Sequence, residues 1–340
     1  MKVWLMIGLF LAGIFVSCKD SGEKHIQLKV LQLNIWQDAT QVDGAYDAVV
    51  NEIAALQPDV VTFCEVRNYE GVMFTEKLCV SLKEKGLAYY TFDCLDGGII
   101  SKHPILESSI LDSTTINRAI IQVDKQKIAI YAAHLDYTHY ACYLPRGYDG
   151  ITWKERPYPK SVDEILAQND ASKRIQQIKC LMQQAEKDIQ DGCQVIVGGD
   201  FNEPSWLDWQ ENTQNMYDHN GFVVPWTTTK LLANNGYEDA YRVLYPNVVT
   251  HPGFTWVADN PDKKIENLTW APKADERDRI DFIFYKGDKL RAVDAAVVGP
   301  KGSIVKNERV QEVSEDKFIL PQNVWPSDHK GVWAVLEIDK

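Results

Sequence analysis

The chain has 340 residues, of which 45% are apolar and 25% charged, and its formal net charge is −12. That is a globular composition with ample length for a large core. So acidic a protein is poorly suited to binding nucleic acid or anionic membrane without specificity. No Pro/Gly/Ser-rich linker, low-complexity tract or internal repeat divides it, so residues 26–340 are expected to form one domain.

The first 25 residues do not read as part of the fold. Met1-Lys2 is a short basic start, Trp4 to Val16 is an almost unbroken apolar run, and Ser17-Cys18 precedes a polar stretch. The run is too short to span a bilayer and has the layout of a secretory signal. A cysteine directly after it resembles the bacterial lipoprotein signal. That resemblance implies a signal peptide over 1–17, an acylated Cys18 and a tether over 18–25. The rest would then face the periplasm or the cell surface. The other six cysteines show no C-x-x-C pair, so neither zinc nor a redox motif is indicated.

Leu28 to Ile35 is a first strand, ending at Asn34-Ile35-Trp36. Tyr46, Val49, Val50, Ile53 and Leu56 recur at helical spacing, and Gln57-Pro58-Asp59 ends that helix. Val60 to Cys64 is a buried strand with Glu65 at its end. A helix over Phe74 to Glu84 and a strand and turn over Gly97 to Ile105 follow. Asn117-Arg118 precedes a strand over Ala119 to Val123, and Lys127 to Ala133 is a strand ending at His134-Leu135-Asp136. Residues 137–160 form a long loop dense in aromatics, with several basic residues, including Tyr137, His139, Tyr140 and Arg146. Loops of that length are usually functional when they are not disordered, and the aromatics argue against disorder.

Ser161 to Glu164 has capping-box spacing and opens one long helix carrying Ile165, Ile175, Ile178, Met182 and Ile189, with Gly192 placed to end it. Val195 to Val197 is a short β-branched strand running into Gly198-Gly199-Asp200-Phe201-Asn202. A second aromatic-rich connection spans 206–226, and Glu238-Asp239 reads as a solvated loop or helix start. Thr255-Trp256 precedes a polar loop over 258–278. Arg279 to Phe284 is a strand, and Ser327-Asp328-His329 precedes a last strand over Val332 to Ile338. Strand–helix units followed by strand-rich sequence suggest a sheet-on-sheet core with outer helices.

Asn34, Glu65, His134, Asp200, Asn202, Asp281, Asp328 and His329 all fall at strand ends, where loops converge on a rigid platform. Their types suit hydrolysis of a phosphate ester by water with a hard divalent cation. Mg²⁺ takes few carboxylates and contacts phosphate directly. Glu65 is the best carboxylate ligand, with Asn34 or Asp328 nearby. Asp200 would orient and deprotonate water. His329, oriented by Asp281, would stabilise phosphoryl charge, and His134 and Asn202 would complete the clamp.

The segments LNIW, CEV, GGIISKHPI, AAHLD, GGDFNEP, FTW, RIDFIF and SDHKGVWAV stand in an order that resembles the endonuclease/exonuclease/phosphatase superfamily of metal-dependent phosphoesterases. The resemblance implies a four-layer α/β/β/α sandwich of two mixed β-sheets with outer helices. It places Asn34 and Glu65 around Mg²⁺ (Mn²⁺ as substitute) and Asp328 beside the metal. His134 and the Asp281–His329 pair fall at the phosphate, Asp200 and Asn202 at the nucleophile. Arg118 falls where some members place a phosphate-contacting arginine. The insertion after His134 departs from the pattern. It is either a substrate wall, with Arg146 holding a second anionic group beside Tyr137, His139 and Tyr140, or a segment packing its own aromatics.

The expected function is Mg²⁺-dependent hydrolysis of a small or lipid-linked phosphate ester by a monomer. One alternative is an extracellular nuclease, against which the acidity counts. Another is a glycan- or ligand-binding surface lipoprotein on a retired enzyme fold.

Overall fold

The computed structural model describes residues 25–111 and 115–339. The apolar run and Cys18 lie outside them. Two mixed sheets face each other. The first holds β1 (Ile26–Asn34), β2 (Val60–Cys64), β3 (Tyr90–Cys94), β4 (Gly97–Ser101), β11 (Leu290–Val298), β14 (Phe318–Ile319) and β15 (Gly331–Ile338), in the order β14-β11-β15-β1-β2-β4-β3. The second holds β5 (Ile105–Leu111), β6 (Ile116–Val123), β7 (Gln126–His134), β8 (Cys193–Asp200), β9 (Glu238–Asp239) and β10 (Asp281–Lys286), in the order β5-β6-β7-β8-β10-β9. A small hairpin, β12 (Gly302–Val305) and β13 (Glu308–Gln311), stands apart.

The apolar residues sort into layers. Leu28, Val30, Val60 and Ile99 of the first sheet meet Ile121, Ile128, Ile130, Ile196 and Ile283 of the second. On the outer face of the first sheet, Leu31, Leu33, Val61 and Phe63 pack against α2 (Ala45–Leu56) and α3 (Phe74–Glu84). On the outer face of the second, Tyr131, Val195, Val197 and Phe284 pack against α5 (Arg174–Gln190). This is the expected four-layer sandwich. Strands covered on both faces explain the unbroken apolar runs at Val60 to Cys64 and around Val195 to Val197.

The long helix predicted from Ser161 is instead two. Ser161 caps α4 (Val162–Asn169) by accepting from the Glu164 amide at 3.3 Å, as its spacing suggests. Asn169 then turns its side chain inward, bonding Glu203 Oε2 at 2.7 Å and Arg174 at 2.9 Å, while Ser172 Oγ donates to the Asn169 carbonyl at 2.7 Å. Polar side chains that compete for backbone groups and buried partners end the helix there. Asp239 is a helix start: it is buried and accepts from the Tyr241 and Arg242 amides.

Two glycines let the layers close. A Cβ on Gly198 would lie 2.2 Å from Thr62 Oγ1 on the facing sheet, and one on Gly199 would lie 1.9 Å from the Ala133 carbonyl oxygen. Gly198→Ala and Gly199→Ala should each cost about 1–3 kcal/mol through overpacking. Urea unfolding of each variant against wild type measures this, and an unchanged midpoint would refute the close approach.

Candidate active site

Sheet register assembles the site. β7 and β8 run parallel with His134 opposite Asp200, and β8 and β10 run antiparallel with Asp200 opposite Asp281. Three strands thus end in a row of titratable groups. Asp200 is 1% exposed and sits between two histidines, whose Nε2 atoms each lie 3.7 Å from its Oδ2. Each histidine is backed through Nδ1 by its own carboxylate: His134 by Asp96 at 2.9 Å and His329 by Asp281 at 2.9 Å. Thr255 Oγ1 steadies Asp281 by accepting from the Ile280 and Asp281 amides. Trp256 lies against His329, ring centroids 4.9 Å apart.

These pairings set the charge states. Burial alone would depress His134, but Asp96, with help from Asp200 and Glu65, carries it up to about 9. His329 is raised well above its ordinary value, because Asp281 and Asp200 outweigh its burial. Asp200 is raised by burial, while His329 pulls the other way and Asp281 adds repulsion. Asp96, despite its burial, is held low by His134 and Arg67.

The first sheet contributes oxygen donors from the same edge. Asn34 ends β1 and Glu65 follows β2, its paired strand. Asn34 Nδ2 donates to Glu65 Oε1 at 3.2 Å and to Asp200 Oδ2 at 3.0 Å, tying the two sheets together. Cys64 does the same beneath the site, donating to the Ala133 carbonyl and accepting from the Asp200 amide at 3.3 Å. Burial pushes its thiol well up, so it is an inert part of the core. A one-turn helix, α1 (Trp36–Ala39), follows Asn34 with left-handed φ of 44°, 57°, 58° and 53°. Such strain persists only where neighbours over-determine it. Here the Trp36 amide donates to Asn34 Oδ1, the Gln37 amide donates to Glu65 Oε2, and Asp38 accepts from the Arg67 and Tyr69 amides.

All eight strand-end residues meet at this edge, seven of them at or beside one cavity of about 300 Å³ and the eighth, Asp281, behind His329. The opposite wall is aromatic: Tyr140, Trp153 and Trp270 stand in a row with centroids 5.7 and 5.0 Å apart. Tyr137 also lines the cavity, but His139 does not; it is turned back, its Nδ1 2.8 Å from Thr138 Oγ1. The insertion is both things anticipated for it. It builds its own core, with Tyr143 and Tyr148 packed against Trp209 and Trp226, and it supplies part of the wall.

The two arginines expected at the substrate do not reach it. Arg146 is buried, ion-paired with Asp278 at 2.5 Å, because a guanidinium inside that aromatic core needs a carboxylate. Arg118 points to the outer layer, where Asp188 and Glu107 take its charge. The arginine that lines the cavity is Arg67, paired with Asp96 and 3.7 Å from Glu65. Asp96 and Arg67 escaped the sequence reading. An aspartate before Gly97-Gly98 and an arginine two places after Glu65 were the available signals.

The charged form of His134 stabilises the fold fully below about pH 6.5, the ordinary histidine value, and this contribution is lost as pH rises through about 9. Histidine NMR on protein without added metal should show His134 as imidazolium at pH 7.5. Asp96→Asn should drop its midpoint by more than one unit. An unchanged midpoint would show that Asp96 does not set it.

The family model described as Endonuclease/Exonuclease/phosphatase family matches residues 31–329. An uncharacterized protein of Caenorhabditis elegans is 28% identical over 334 residues, covering 96% of this chain and 97% of that protein. Among solved structures, D. rerio TDP2 complexed with single-strand DNA product aligns with a TM-score of 0.52 at 18% identity, covering 91% of this chain and 98% of that one. A family protein from Bacteroides thetaiotaomicron aligns at 0.51 and 14% identity, covering 93% and 100%. At those identities the structures bear on the fold alone. The chain belongs to the endonuclease/exonuclease/phosphatase family of metal-dependent phosphoesterases.

Proposed function

We propose that this enzyme hydrolyses a small or lipid-linked phosphate ester, with water as nucleophile and Mg²⁺ as its usual cation. The observation that carries the reading is Asp200 held between two carboxylate-backed histidines. Burial raises Asp200, which makes it a better acceptor for the proton of an attacking water. The Asp96 and Asp281 carboxylates keep His134 and His329 protonated, so their Nε2–H groups face the site as donors to phosphoryl oxygens. Asn202 backs Asp200, its amide N–H donating to Oδ1 at 2.9 Å. As the water oxygen bonds to phosphorus, the water proton passes to Asp200 and the ester P–O bond breaks, the alcohol oxygen leaving with the bonding pair and taking a proton from solvent.

The donor set beside Asp200 fits a hard cation. Glu65 and Asp328 both line the cavity, and Asn34 adjoins Glu65. Burial, reinforced by repulsion from Glu65, pushes Asp328 up to about 7. A divalent ion would suit this pair of acids, held by Glu65 and Asp328 with Asn34 beside them. A cation there supplies Lewis-acid polarisation of the phosphoryl group.

The size of the cavity and the net charge of −12 favour a small substrate over a nucleic-acid chain. The apolar run ahead of Cys18 supports export and a lipid tether.

Purified protein should therefore turn over a generic phosphate ester only with Mg²⁺ or Mn²⁺. His329→Ala should lower kcat by about 10²–10³, as loss of an oxyanion donor does. Glu65→Ala should abolish metal-dependent turnover. Full activity in chelator would overturn the metal mechanism, and a steep fall of kcat/KM with salt would favour the nuclease.

A further inference from the structure

Five tyrosines stand in the insertion over 137–160, and the fold uses them differently. The Tyr143 hydroxyl donates to Glu276 at 2.8 Å, and the Tyr148 hydroxyl accepts from the Lys273 amide at 3.3 Å. Tyr137 and Tyr158 are exposed. Tyr140 is half-buried and lines the catalytic cavity, yet its hydroxyl has no hydrogen-bond partner among the described residues. A tyrosine hydroxyl withdrawn from bulk water ordinarily finds a partner.

The chain around Tyr140 is fixed before substrate arrives. Arg174 donates to the preceding carbonyl, that of His139, at 3.0 Å, and the Tyr140 amide donates to the Gly150 carbonyl at 2.9 Å. Gly150 comes so close that a Cβ on it would lie 1.9 Å from the Tyr140 carbonyl oxygen. The ring meets Tyr143 edge-on, centroids 5.9 Å apart, and is tilted against Trp153 at 5.7 Å. A donor held this firmly costs no reorganisation in the transition state.

Charge shows where the hydroxyl acts. Burial lifts it well above its ordinary value, and Asp200 and Asp281 push it further against a pull from Arg174. It therefore stays protonated, within electrostatic reach of the carboxylates that the two histidines face. Other donors at the cavity are committed elsewhere: Asn202 Nδ2 to the Leu135 carbonyl at 2.8 Å, Trp256 Nε1 to Tyr143 at 3.2 Å, and Arg67 to Asp96. We propose, resting on the hydrolytic reading above, that Tyr140 is a catalytic residue whose hydroxyl donates to a phosphoryl oxygen across the cavity from His134 and His329. No proton changes hands at this contact, and Asp200 still takes the proton of water. The insertion thus adds a third donor to the site.

The test is Tyr140→Phe in the full chain with Mg²⁺, assayed on p-nitrophenyl phosphate, phenyl phosphate and p-nitrophenyl phosphorothioate. Phenylalanine keeps the ring contacts and removes a hydroxyl that has no partner inside the described fold, so the urea midpoint should not move. kcat should fall by about 10², the scale of one lost oxyanion donor, and kcat/KM should fall equally. The loss should be the same on the p-nitrophenyl and phenyl esters. Sulfur accepts hydrogen bonds weakly, so the penalty for the phosphorothioate should shrink in the variant, where the contact is already gone. An unchanged kcat, an undiminished sulfur penalty or a shifted urea midpoint overturns the assignment and leaves the hydrolytic reading standing. A loss several-fold greater on phenyl phosphate overturns it as well, because that pattern marks a proton donor to the leaving alcohol. Turnover of no ester by wild type overturns that reading and this proposal together.

Discussion

A carboxylate buried as deeply as Asp200 is costly unless its surroundings supply charge and hydrogen bonds. Here four separate segments supply them. β7 brings His134, the last turn before β15 brings His329, β1 brings Asn34, and the loop after β8 brings the Asn202 amide. Each needs its strand in one register, because a slip of one residue turns every side chain to the other face. The closeness of the sheets at Gly198, the left-handed turn after Asn34 and the braced Asp281 all serve that convergence.

The insertion after His134 is attached with the same thoroughness. Arg174 of α5 donates to the carbonyls of Asp136, Thr138 and His139, fixing its first residues to the second sheet. Arg146 is neutralised by Asp278, and Trp209 Nε1 donates to the same carboxylate. Tyr143 accepts from Trp256 Nε1 at 3.2 Å, and the Trp256 ring lies on His329. The wall facing the reaction centre is thus a packed extension of the core, pre-organised before substrate arrives.

The layers and the eight strand-end residues were legible in the sequence because local signals carry them. β-branched runs mark strands buried on both faces, and a polar residue at the end of such a run has nowhere to go but the sheet edge. What local signals do not carry is pairing. Arg146 and Asp278 are 132 positions apart, and Arg118 and Asp188 are 70 apart, so neither arginine could be known to be neutralised. Asp96 stands in a β-turn whose role depends on β7 lying behind it. The break between α4 and α5 depends on Asn169 finding Glu203, which is likewise a long-range event. Cys64 read as simple core is core, but its position under Asp200 also joins the sheets.

The central claim is that the Asp96–His134 and Asp281–His329 pairs act on Asp200 and the phosphate as one unit. The direct measurement is a double-mutant cycle on kcat/KM with Mg²⁺, using Asp96→Asn, Asp281→Asn and the double variant. Residues acting as a unit are grossly non-additive. The double variant should therefore lose little more than the worse single variant. Losses that multiply cleanly would mean two independent pairs and would contradict the account.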